Sequence, residues 1–98
     1  MGDKKTIEKQ PLIKGCFHPD EAREIISSLF YNKMQFHSIS SLSIRERTGG
    51  DTSFHEQRII ELTKSLNEIF SVINLAKTNE DYLNISSDIH VSLTEKPN

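Results

Sequence analysis

Two histidines, His37 and His55, stand on either side of a Gly49-Gly50 pair, the one place in the middle of the chain where a sharp reversal is written into the sequence. If the flanking segments are helices that run antiparallel, both imidazoles come to one end of the hairpin, together with Glu46 and Glu56. Imidazole and carboxylate are ligands for divalent transition metals and partners in acid/base work. His37, His55 and Glu56 are therefore the candidate metal-binding residues. The competing reading is that histidines at a loop end are solvated or serve as caps. The other chemistry-bearing side chains offer less. Cys16 and His18 are close in sequence, but a zinc site normally takes three or four ligands, often in Cys-x-x-Cys pairs, and the chain has a single cysteine. His18 directly precedes Pro19 and reads as a helix cap. Cys16 lacks an evident base and orienting partner and reads as an inert thiol. His90 falls on the polar side of an alternating segment and reads as solvent-facing.

Motifs for other chemistries are missing. Gly49-Gly50 is not followed by the Lys-Ser or Lys-Thr of a phosphate loop, and no nucleophile elbow is present. No catalytic residue and no cofactor is assigned. With 12 basic and 14 acidic residues the formal charge is −2, too balanced to indicate nucleic acid, and Arg45-Glu46-Arg47 is a basic spot broken by an acid. No apolar run approaches the roughly 20 residues of a membrane-spanning helix. Residues 1–10 are polar, without the apolar centre of a signal peptide, so the expected location is the cytoplasm. The start Met1-Gly2-Asp3-Lys4-Lys5-Thr6 fits the short myristoylation pattern, which is common by chance and is not read as an anchor. The sequon at Asn84 is read in the same way.

The elements that must position these residues follow from periodicity. Pro19 opens a helix, with Asp20 and Glu21 facing the positive end of its dipole. Ala22, Ile25, Ile26, Leu29, Phe30, Met34 and Phe36 recur at helical spacing. Serines from Ser38 to Ser43 weaken the pattern, and the helix is carried through them to about Arg47. The paired glycines stop it. Ser53 and Glu56 form a capping-box pattern for a second helix, about Phe54 to Lys77. Its seam is Ile59, Leu62, Leu66, Ile69, Ile73 and Ala76. After a polar turn at residues 78–81 the period becomes two: Leu83, Ile85, Ile89, Val91 and Leu93 alternate with polar residues, the pattern of a half-buried strand. Residues 1–10 are expected as a disordered tail, 11–95 as a single domain and 96–98 as a second tail.

The fold class is mainly α with a β element: an antiparallel two-helix hairpin followed by a C-terminal strand. A lone strand leaves its backbone groups unpaired, so something must lie beside it. Within the chain the candidates are the stretch near Leu12 to Phe17 and, less well placed, Phe36 to Ile44. The favoured solution is the same strand of a second copy, antiparallel about a two-fold axis, giving a four-helix bundle over a small sheet. At 98 residues and 35% hydrophobic content, one copy has little core of its own. The expected interface is Leu83, Ile85, Ile89, Val91 and Leu93 of the strand, with Leu62, Leu66, Ile69 and Ile73 of the second helix. The functional expectation is a small homo-oligomeric interaction or structural protein without catalysis, its partner a second copy of itself. The alternatives are an adaptor that takes another protein on its strand edge or helical groove, and a small metal-binding enzyme or sensor built on His37 and His55.

Overall fold

The computed structural model describes residues 6–95. The chain forms β1 (Thr6–Phe17), α1 (Pro19–Arg47), α2 (Ser53–Asn79) and β2 (Leu83–Ser92), with β1 and β2 paired antiparallel in a two-stranded sheet. The two helices lie against each other as the short glycine connection requires. The lipidation pattern expected at residues 1–6, apart from Thr6, and the C-terminal tail at 96–98 lie outside the described residues.

Local chemistry sets the helix ends. His18 is the N-cap of α1: its Nδ1 accepts from the Asp20 amide at 3.1 Å, and Glu21 Oε1 accepts from the His18 amide at 3.3 Å, a reciprocal capping box. The helix runs unbroken through the serine-rich stretch to Arg47. It ends where Gly49 takes φ +64°, which lets its amide donate back to the Ile44 carbonyl at 3.2 Å. The start of α2 differs from expectation. The N-cap is Thr52, without a side-chain cap, and Ser53 is already helical. Asp51 takes over the capping, with Oδ1 accepting from the Ser53 amide at 2.9 Å. Glu56 is drawn away from Ser53 because Arg45 and the Thr52 hydroxyl both donate to it. At the far end of α2, Glu80 adopts φ +60°, and the Asp81 amide donates to the Ala76 carbonyl at 2.8 Å.

The partner of the C-terminal strand lies in the same chain. β2 pairs with β1, with Phe17 opposite Leu83 and Thr6 opposite Ser92. This is the within-chain alternative, not the pairing with a second copy that the sequence reading favoured. The expected tail is also corrected: Thr6–Gln10 are strand. Pro11 does not end it, because the register shifts on either side, between Ile7 and Gln10 and between Pro11 and Ile13, let an irregular ladder pass a residue that has no N–H to give. Ile13, Gly15 and Phe17 share one half-buried face with Ser87, Ile85 and Leu83.

The core is a seam and not a centre. Its buried apolar residues are Ala22 and Ile26 of α1 and Leu66, Ile73 and Ala76 of α2, and among the described residues no large side chain is completely buried. Arg23 stacks on Phe70 with 4.3 Å from its guanidinium carbon to the ring centre, and its Nη2 donates to Asn74 Oδ1 at 2.8 Å. Lys77 reaches Asp20 at 3.1 Å and ties the end of α2 to the start of α1. The molecule measures 50 × 41 × 15 Å, so it is a plate little thicker than one helix with its side chains. No helix among the described residues is long and apolar enough to cross a membrane.

Candidate functional site

Titratable side chains of the two helices meet at the ion pairs Asp20–Lys77 and Arg45–Glu56 and, with two imidazoles facing each other, at the histidine pair. His37 Nδ1 and His55 Nδ1 lie 2.9 Å apart, with ring centres 5.1 Å apart. Ring centres so much farther apart than the facing nitrogens mean that the two Nδ1 atoms point almost directly at each other. One ring therefore donates from Nδ1 and the other accepts there. His37 is 4% exposed, and its other nitrogen, Nε2, is buried without a partner. His55 is half-buried.

Two phenylalanines complete the surroundings. The Phe36 ring stands edge-to-face against His37 at 5.2 Å, and Phe54 does the same to His55 at 5.3 Å. Each also reaches the other histidine, Phe36 to His55 at 6.4 Å and Phe54 to His37 at 6.2 Å. Both phenylalanines are themselves largely exposed, 54% and 67%. The sequence reading missed this shell. Its signal is a Phe-His doublet inside each helix, at 36–37 and 54–55; the third such doublet of the chain, Phe17-His18, stands before α1.

Burial acts first on the proton affinity of His37. It pushes the His37 imidazole below the ordinary histidine range, and the cationic neighbours Lys33, His55 and Arg58 push the same way. Two of the nearby cations are already paired: Arg45 with Glu56, and Arg58 with Glu61 at 3.4 Å. Lys33 lies over the Phe36 ring at 4.7 Å.

The histidines that the sequence placed at one end of the hairpin thus converge, and the carboxylates do not join them. Glu56 is turned to Arg45 and Thr52, and Glu46 is exposed. Among the described residues no group of three or more His, Cys, Asp and Glu side chains comes together. His18 is committed to its cap, while Cys16 and His90 are exposed on the strands. The expected interface residues separate into groups. Leu66 and Ile73 are inside the helical seam. Ile69, Leu83 and Ile85 line an apolar groove between α2 and β2, shared with Ile26, Val72 and Ile73. Leu62 is half-buried, and Ile89, Val91 and Leu93 are exposed. Searches of protein-family models, curated proteins and solved structures find no match to this chain.

Proposed function

We propose that this chain is a subunit of a homodimer, an interaction or structural module that has no catalytic role. The observation that carries the reading is surface area. The chain exposes 7936 Å², whereas a compact monomer of its 11.2 kDa mass exposes about 5,700 Å². The excess, roughly 2,200 Å², is of the size each subunit hides in a large obligate dimer interface. Much of the exposed surface is apolar: Phe36, Ile39, Leu42, Phe54, Ile60, Val72 and Leu75 stand out from the two helices. Beyond Ser87 β2 is exposed on both faces, and a two-stranded ribbon alone is marginal in water. A second copy laid on the plate supports all of these at once.

A specific feature favours a second reading, an adaptor for a different protein. Each strand of the ribbon keeps one unpaired edge, and an extended segment of another chain adds to such an edge by main-chain hydrogen bonds. Light scattering over a wide concentration range decides between the two. A dimer mass that does not fall on dilution is the expected result. A monomer at every concentration overturns the homodimer and leaves the adaptor. Ile39→Glu and Phe54→Glu place charge on the exposed apolar surface, and in the dimer they lower the mass while helix content by circular dichroism is kept.

A further inference from the structure

The His37–His55 contact has a property that a cap or a solvated loop histidine does not share: its integrity depends on how many protons the two rings hold. With both rings neutral, one Nδ1 carries a hydrogen and the other offers a lone pair, so the 2.9 Å contact is a hydrogen bond. One added proton leaves that bond in place and makes it charge-assisted, with the second ring still accepting. A second added proton puts a hydrogen on both facing nitrogens. The acceptor is then gone, two cations face each other at bond distance, and the contact must open.

We propose that His37 and His55 form a proton-operated catch that holds α1 against α2 near their connection while the pair carries at most one positive charge, and releases it when both rings are charged. The surroundings fit such a device. With one ring charged and donating, the neutral ring accepts at Nδ1 and carries its hydrogen on Nε2, so a second proton must enter the contact itself, and at His37 it does so against burial. The charged side chains around the pair come from both helices. Lys33 and Arg58 oppose a second charge, while Glu56 and Glu61 are spent on Arg45 and Arg58 and do not accept from the imidazoles. Among the described side chains the strands meet the hairpin elsewhere, β2 at Ile26 and Ile73 and β1 at Ile25 and Leu29, away from the pair. Phe36 and Phe54 cover the rings and are exposed on their outer sides. Opening the catch therefore rearranges apolar surface that a partner would contact, which makes acid a control on association.

The test is a distance measurement within one chain. Spin labels go on Gln35 and Gln57, exposed positions two residues from each histidine, in a Cys16→Ser background, and the labelled chain is diluted in an excess of unlabelled protein so that only intrachain distances are read. Between pH 7.5 and the acid side of the ordinary histidine range, the distance distribution is expected to broaden and lengthen reversibly. His55→Phe, which cannot take a proton, is expected to abolish that response, and His37→Gln serves the same purpose if the first variant folds poorly. Imidazole nitrogen NMR on the unlabelled protein should show the bond between the two Nδ1 atoms kept while one ring is charged and lost when both are. A distance that ignores pH in the wild type, or one that opens equally in the variants, overturns the catch. Because the measurement is intrachain, a finding that the protein is monomeric would not affect it.

Discussion

Arg23 and Phe70 are joined across the helical seam by a cation lying over an aromatic face, 4.3 Å from guanidinium carbon to ring centre, while the same guanidinium donates to Asn74. An exposed cation–π contact and one hydrogen bond together contribute on the order of 1 kcal/mol. Arg23→Ala is expected to cost about that much, and Arg23→Lys about half, because an ammonium cannot cover the ring and reach Asn74 with the same planar fork. Urea unfolding at one fixed protein concentration measures it. Identical midpoints for all three proteins would show the contact to be idle.

Glu80 ends α2 in a left-handed conformation that a side chain with a Cβ adopts at a cost. Glu80→Gly should therefore raise stability by about 1 kcal/mol. Gly49 presents the reverse case, at φ +64° with open space where a Cβ would be, so Gly49→Ala should lower stability by about 1 kcal/mol through backbone conformation alone. Opposite signs from these two substitutions in thermal melts are the expected pattern. A shift of the same sign would mean that one of the two turns is built differently.

The seam predicts a sharp contrast between neighbouring apolar positions on α2. Leu66 is buried, and Leu66→Ala should cost about 3 kcal/mol, a large part of what so thin a domain can have. Ile60 is exposed, and Ile60→Ser should change unfolding of an isolated subunit by less than about 0.5 kcal/mol. In a dimer the same change appears as a weaker association constant. Unfolding and sedimentation on both variants separate the two effects.

Acid acts on the start of α2 as well as on the histidines. The amide of Ser53, and then its hydroxyl, hold the Asp51 carboxyl below its usual range. The folded state thus binds this proton less readily than the unfolded chain. The stabilisation is present above the unfolded carboxylate range and is lost as pH falls through the folded value. For His37 the folded value is also lowered, so stability is complete above the ordinary histidine range and falls as pH drops below it. Two separate acid limbs are expected in a plot of stability against pH. Asp51→Asn should flatten only the lower one and His37→Gln only the upper one, and an unchanged curve in either variant refutes that assignment.

The helices were legible in the sequence because burying one stripe imposes a period, and the meeting of His37 with His55 followed from chain reversal at Gly49-Gly50. What escaped was decided by competition between side chains. Ser53 and Glu56 form a capping pattern, but Arg45, eleven residues away from Glu56, takes the carboxylate, and Asp51 caps the helix in its place. No local reading of residues 51–56 contains Arg45's position. β1 was concealed in a similar way. Lys9, Gln10, Pro11 and Lys14 spoil its alternation, and its strand character comes from the ladder that β2 offers, with irregularities that absorb the proline.

The long-range pairings share one arrangement: Arg45 with Glu56, Arg23 with Asn74, Asp20 with Lys77, Phe17 with Leu83 and Thr6 with Ser92. Each residue before the glycine turn meets one at a similar distance after it, so the whole chain is a single zipper whose pull-tab is Gly49-Gly50. Closing the helical part brings Phe17 and Leu83 within reach of each other before either strand has formed. The later ribbon contacts then cost only a short extension of a loop already closed, instead of the closure of most of the chain at once. The turn, far from the ribbon, sets how soon the ribbon can form, and a slower reversal at Gly49-Gly50 would delay every pairing beyond it.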